Sequence, residues 1–183
     1  MNIEELIKNR RTAQQFKKDP IDFNLVHKAI ELMAYAPNHK HTFPWGAYRL
    51  SSEEKNILIN LLVEKKLKKV SNPTPVQVSA VRQNFENIPE MVALLQKKQE
   101  DAFTQKEDYA SLACGVQILS LYLWQHDIAC KWSTTGMMNN ESFKQATQID
   151  WNQWDIEGLV FIGKAARIPQ RPERPRVLIN ETT

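Results

Sequence analysis

Two hydrophobic periods alternate along the chain, and the switches between them mark the elements. Ile3, Leu6 and Ile7 share one face of a short helix over 3–9. Asp22 is placed to cap a second helix, whose apolar set Leu25, Val26, Ala29, Ile30, Leu32 and Met33 keeps helical spacing to about residue 35. Pro37 ends it, because the residue before a proline is forced out of the helical region. "WGAYRLSS" at 45–52 then reads as a strand closing in a turn, and Ser52 is placed to cap a helix over 53–70. Residues 71–89 carry three prolines without clear periodicity, which predicts a loop or short helical pieces.

The second half opens with "EMVALLQ" at 90–96, a continuous apolar run after Pro89 that predicts a strand, with a partly helical reading open. A polar stretch leads into the longest apolar helix, "YASLACGVQILSLYLWQ" at 109–125. It is apolar nearly all round from Val116 on, as a buried helix is, while Ala110, Ser111, Ala113, Cys114 and Gly115 admit a close neighbour in its first half. A strand over 128–136, a short helix over 140–147 and the strand "EGLVFIGKA" at 157–165 follow. The tail "RIPQRPERPRVLIN" has three prolines and four arginines and predicts an extended arm over about 166–183. Helices and strands mix without a βαβ rhythm, so the chain is expected to form one α+β domain over 1–183.

Composition narrows the function. At 183 residues with 42% hydrophobic and 25% charged, the chain has material for a real core. Its apolar runs fall short of the ~20 residues that span a bilayer, and the acidic start lacks the apolar core of a signal peptide. Cys114 and Cys130 both sit in apolar segments without CxxC spacing, so two buried free thiols in a reducing cytoplasm are expected. The net charge of +3 is dispersed, and the lysine run "EKKLKK" at 64–69 lies on a helix, where a solvated face explains it better than a nucleic-acid surface.

The familiar catalytic motifs are missing. His39 and His41 invite a metal, but His27 and His126 lie in separate helical segments, and a zinc site takes three or four protein ligands. There is no GxSxG elbow, and the five glycines, at 46, 115, 136, 158 and 163, build neither a phosphate loop nor GxGxxG. What remains is a set of polar islands at element ends: "NRRTA" at 9–13, "YAPNHKHTFPWG" at 35–46, "KWSTTG" at 131–136 and the arginine–proline tail. Paired arginines with a following hydroxyl suit a phosphate. Among the aromatics, Trp45 is expected to pack beneath its loop and Trp124 in the long helix or a dimer seam. Trp151 and Trp154 are expected at a pocket mouth or over the core.

In order and spacing these islands resemble the nitroreductase family of FMN-dependent oxidoreductases, closest to its small single-domain members. "IKNRRTAQQF" and "AIELMAYAPNHKHTFPW" carry the likeness over 3 to about 50, and "KWSTTG", "GLVFIGKA" and "RPERP" over 107–175; 52–106 follow by position only. The resemblance implies a central mixed, mainly antiparallel sheet flanked by helices, and a cytoplasmic homodimer with FMN at the subunit interface. It implies that Arg10, Arg11 and Thr12 hold the phosphate, Arg11 also facing the N1/O2 edge of the ring. Tyr35 and His39 would reach the flavin from the partner chain, and His41 is a further candidate for binding the cofactor. Trp132, Ser133 and Thr134 would lie beside the ring, and Arg174 or Arg171 would reach from the tail. Where many members carry an asparagine and a glutamine this chain has His41 and Phe43, and "WSTTG" is one residue longer than the commonest loop.

The implied activity is ping-pong transfer of hydride from NAD(P)H, through FMN, to a small acceptor of nitroaromatic or quinone type, with no membrane or nucleic-acid partner. The alternatives are a flavin store of the same family with little turnover, and a basic interaction domain that would bind RNA or DNA in a salt-sensitive way.

Overall fold

The computed structural model describes residues 2–179. Strands β1 (Trp45–Arg49), β2 (Glu90–Lys97), β3 (Ala129–Ser133) and β4 (Trp154–Gly163) form one sheet in the order β1-β2-β4-β3. Every neighbouring pair of named strands is antiparallel. The expected mixed sheet therefore reduces to antiparallel strands, with an isolated parallel bridge from Thr12 to Cys130 at the β3 edge. Between β2 and β4 the register slips at Leu94/Leu95: Leu94 faces Gly158 and Leu95 faces Ile156, which leaves Glu157 as a bulged residue.

Both sheet faces are covered, which explains why "EMVALLQ" is a continuous apolar run and not an alternating one. Met91, Ala93, Leu95, Leu159 and Phe161 pack on one side with Leu58, Ile59, Leu62 and Val63 of α3 (Ser52–Leu67) and Phe143 of α6 (Glu141–Ala146). Val92, Leu94, Val160, Ile162 and Cys130 pack on the other with α2 (Phe23–Leu32) and α5 (Ala102–Gln125).

Local chemistry sets the helix ends. Asn2 and Glu5 cap each other's backbone at the start of α1 (Ile3–Asn9). Asp22 caps α2 as expected, and the helix tightens into a 3-10 turn, Met33–Tyr35, ahead of Pro37. Three expectations are corrected. The cap of α3 is Ser51, not Ser52: its hydroxyl accepts the Glu54 N–H while the Glu54 carboxylate accepts the Ser51 N–H. Residues 71–89, expected as a loop or short helical pieces, instead hold one continuous helix over most of their length, α4 (Pro75–Glu86), with Thr74 and Gln77 as a capping box and Pro75 in the first turn. Helix α5 starts at Ala102 on an Asp101 cap, so the polar stretch before Tyr109 is its first two turns.

Strands β3 and β4 are also displaced from the spans 128–136 and 157–165: β3 stops at Ser133 before a 3-10 turn, Gly136–Asn139, and β4 starts at Trp154. Cys130 is buried, but Cys114 is exposed on the outer side of α5, so only one of the two thiols fits the buried reading. Both are free. No described helix is long and apolar enough to cross a membrane.

Candidate functional site

After α1 the chain runs along the free edge of β3. Thr12 bridges Cys130, and Phe16 bridges Ala165 beyond the end of β4, so "NRRTA" and "KWSTTG" lie side by side. Ala13 and Phe16 pin the segment by burying into the core. Arg10 is half-buried, and its Nε is buried without an acceptor, while Nη1 lies 3.5 Å from Thr12 Oγ1. An orphaned guanidinium N–H in a partly dry site is costly unless a ligand accepts it. Burial pushes the Cys130 thiol above its ordinary range, with the Ser120 hydrogen bond and the Arg10 charge working the other way, so Arg10 is felt at β3. Arg11 is differently engaged: its Nη1 donates to the Lys8 and Arg10 carbonyls at 2.8 Å each, closing the end of α1.

Trp132 lies on the α5 side of the sheet, 6.2 Å from the ring of Tyr109, and its Nε1–H donates to the Glu157 carbonyl at 3.3 Å. Gly158 provides the space: a Cβ there would stand 2.1 Å from Trp132 Nε1. Ser133 is half-buried at the strand end and Thr134 is exposed just past it. Lys65 of α3 donates to Thr135 Oγ1 at 3.0 Å and ties this turn to the helix layer. Burial pushes the carboxyl of the bulged Glu157 upward, and the neighbouring Asp155 adds to the shift.

The loop after α2 docks on the first half of α5. Asn38 donates to Thr42 Oγ1 and accepts the Phe43 N–H, both at 2.9 Å. Thr42 donates to the buried Asp108 carboxylate, which also accepts from Gln99 at 2.8 Å, and Ser111 donates to the Pro37 carbonyl at 2.7 Å. Lys40, His41 and Phe43 take positive φ of 59°, 51° and 50°, a conformation rare for side chains of this size, which the tethers hold. His39 Nδ1 sits 2.9 Å from both Glu107 oxygens, His41 lies 6.0 Å from the Phe43 ring, and Tyr35 is 81% exposed. Trp45 packs half-buried against the α5-side core, and Phe43 leans on it edge to face at 6.3 Å.

Of the four islands, the first three converge: "NRRTA" pairs with β3, and α5 carries both Tyr109, beside Trp132, and the residues that hold the 38–43 loop. In the tail, Arg171 and Arg174 lie in an exposed extended segment. Arg167 is the tail arginine that lines a cavity with Gln14 and Gln15, and the Ala166 N–H donates to the Gln15 carbonyl at 2.9 Å. Among the described residues no three His, Cys, Asp or Glu side chains gather as a metal site would require.

Sequence reasoning missed a cavity of about 290 Å3 on the α3/α4 side of this edge. Gln14, Gln15, Asn84, Lys66 and Lys131 line it, over a floor that includes Phe16, Phe85 and Phe161. Lys131 Nζ donates to Gln14 Oε1 at 2.9 Å. Burial pulls the Lys131 ammonium below the ordinary lysine range, and the like charge of Lys66 adds to it. The sequence signal available was strand alternation: with Cys130 and Trp132 on the α5 side, Lys131 must point to the other face. The cationic and amide donors and the absence of a carboxylate from the lining suit an anionic ligand with an apolar body.

The model of the Nitroreductase family matches residues 7–164. YfhC of Bacillus subtilis (strain 168), a candidate NAD(P)H nitroreductase, is 24% identical over 152 residues, covering 82% of this chain and 78% of its own. A nitroreductase-like family protein from Bacillus cereus superposes with a TM-score of 0.81 at 22% identity, over 100% of this chain and 97% of that one. A candidate nitroreductase in complex with FMN from Desulfovibrio desulfuricans does so with a TM-score of 0.76 at 14% identity, over 100% and 99%. The structural likenesses establish the fold, and the family match spans all the islands up to the tail, so the chain belongs to the nitroreductase family.

Proposed function

We propose that the protein is an FMN-dependent oxidoreductase that takes reducing equivalents from NAD(P)H and delivers them to a small acceptor of nitroaromatic or quinone type. The observation that carries the reading is the pairing of "NRRTA" with the strand of "KWSTTG", with an unsatisfied Arg10 Nε where a phosphate would be held. The FMN bound by the Desulfovibrio desulfuricans relative and the likeness to YfhC, a candidate NAD(P)H nitroreductase, support the choice of cofactor and donor.

When bound, FMN supplies the hydride-accepting chemistry, and the protein holds and tunes it. Arg10 gives a charged fork and Thr12 a hydroxyl to the phosphate. Trp132, Ser133 and Thr134 present one strand end and its turn to the ring. Tyr35, His39 and His41, on a loop fixed by Asp108, face outward from the protomer, which fits their use by a second copy. Ile3, Ile7, Tyr35, Phe43, Phe103 and Tyr109 are exposed apolar side chains on α1, α5 and this loop, and supply the apolar area a homodimer would bury. Donor and acceptor would occupy the same ring face in turn, which gives ping-pong kinetics.

The test is the visible spectrum of the isolated protein, followed by anaerobic addition of NADH or NADPH. A flavin spectrum bleached by either nucleotide and restored by a quinone is expected. A colourless protein that does not take up added FMN would refute the cofactor assignment. A yellow protein that neither nucleotide bleaches would leave the flavin store in its place.

A further inference from the structure

The 38–43 loop is held in a shape that its own protomer makes no use of. Lys40, His41 and Phe43 take left-handed backbone, at φ of 59°, 51° and 50°, which side chains of this size avoid. Successive turns of α5 hold the loop at three points. The Ser111 hydroxyl donates to the Pro37 carbonyl at 2.7 Å, the Glu107 carboxylate meets His39 Nδ1 at 2.9 Å, and Asp108 accepts the Thr42 hydroxyl. Asp108 is 1% exposed. Among the described residues it pairs with no lysine, arginine or histidine, and the Thr42 hydroxyl and the Gln99 amide answer it instead. A carboxylate buried on neutral donors alone is costly. Thr42 is the branch point of the network: it also accepts from Asn38 Nδ2, and Asn38 Oδ1 takes the Phe43 N–H, both at 2.9 Å. Yet the tethered segment packs little of itself into the core. Asn38 and Thr42 are half-buried, while His39, Lys40, His41 and Phe43 are exposed. The buried charge therefore shapes an outward surface.

We propose that Asp108 and Thr42 are positioning residues acting across the dimer, fixing the loop of one protomer in the shape that completes the flavin site of the other. The proposal rests on the oxidoreductase reading above. Neither side chain touches the flavin. They hold the loop ready before binding, so less conformational freedom is lost when the flavin arrives. The loop meets the ring and not the phosphate, so loss of the Asp108–Thr42 contact weakens FMN and riboflavin alike. Loss of Arg10, a phosphate contact, weakens FMN alone.

The experiment uses the full-length protein carrying Thr42→Val, which removes the hydroxyl at nearly constant shape, with Thr42→Ser as the conservative partner. Affinities for FMN and riboflavin are measured by fluorescence quenching, and circular dichroism checks the fold of each variant. Thr42→Val is expected to weaken both flavins about tenfold, and Thr42→Ser to stay within about threefold of wild type. Mixed dimers are then isolated from cells making a Thr42→Val chain and an Arg10→Ala chain with different tags. Action across the dimer puts both defects in one site and none in the other, so half of the sites should bind FMN with wild-type affinity. Action within the protomer leaves one defect in every site, and a mixed dimer without a wild-type site would overturn the proposal. A Thr42→Val protein that binds both flavins as tightly as wild type, or a flavin-loaded monomer, would overturn it as well and leave the oxidoreductase reading standing. If the unmodified protein binds no flavin, the reading under Proposed function fails first. Should Thr42→Val not fold, Asp108→Asn, which turns one acceptor oxygen into a donor, is put through the same two measurements.

Discussion

Replacing Gly158 with alanine should strike the stability of the protein through one tryptophan. The new Cβ would stand 2.1 Å from Trp132 Nε1, 2.6 Å from its Cδ1 and 3.3 Å from the Ser133 carbonyl oxygen. Gly158 is buried in β4, opposite Leu94 at the β-bulge, so the methyl cannot turn to solvent. The indole has to move, which forces it against Tyr109 and breaks its hydrogen bond to the Glu157 carbonyl. Overpacking of this kind costs about 1–3 kcal/mol. The lost hydrogen bond adds about 1 kcal/mol. A loss of about 2–4 kcal/mol corresponds, for a chain of this size, to a fall in Tm on the order of 10 °C.

The assay is urea unfolding at fixed protein concentration, since an oligomer's apparent stability depends on concentration. Gly136→Ala is the control: its Cβ would meet nothing within 4 Å, so a change under about 0.5 kcal/mol is expected. Combining Gly158→Ala with Trp132→Leu removes the clash, so the double variant should lose less than the sum of the two single losses by about 1 kcal/mol or more. A Gly158→Ala protein as stable as the Gly136→Ala control, or strictly additive losses, would show that the glycine is not there to seat the indole.

Two further outcomes follow from the same structure. Arg10→Ala should weaken FMN binding by about 10- to 100-fold, the range for losing a charged hydrogen-bond partner. Arg11→Ala, whose Nη1 is tied to backbone carbonyls, should weaken it far less, and equal losses in fluorescence titrations would contradict the division of labour. Tyr48→Phe should lower stability in a pH-dependent way. Burial pushes the Glu54 carboxyl up, but hydrogen bonds from the Tyr48 hydroxyl and from Ser51 outweigh it and hold the group below its ordinary range. A depressed folded-state pKa contributes stability above the unfolded value and loses it as pH falls through the folded value. The gap in urea midpoint between wild type and Tyr48→Phe should therefore be present at neutral pH and shrink below about pH 4; a gap independent of acid would refute the role of the Tyr48–Glu54 contact.

What the sequence made legible was decided by whether the signal was local. Asp22 before an apolar-periodic run, Pro37 after it and the unbroken "EMVALLQ" each state their structure within a few residues, and each element appears where expected. Helix α4 was hidden because it buries no residue completely: only Val78, Val81 and Phe85 lean on the core, so it lacks the apolar density that announces a helix. Its signal was chemical, a threonine, a proline in the first turn and a glutamine at the third position. The lone serine shift at the start of α3 has the same origin, since Ser51 and Ser52 look alike until Glu54 is seen to answer one of them.

The site divides along the same line. Arg10, Thr12 and Trp132 sit in recognisable strings, and the pairing of Thr12 with Cys130 brings those strings together across 118 positions of chain. Lys131 lies inside one of the strings yet has no local mark, because a lysine in a strand reads as a solvent-facing residue. Its place becomes visible only when three long-range facts coincide: the N-terminal segment covers the β3 edge, Gln14 turns toward β3, and α4 supplies Val81, Asn84 and Phe85 as the opposite wall. Arg11 shows the converse. Its string made it the natural choice for the ring edge, but the end of α1 leaves carbonyls free there, and a guanidinium next to unpaired carbonyls is drawn to them. A motif thus names the residue types a site needs, while helix ends and strand alternation decide which side chain is left free to meet the ligand.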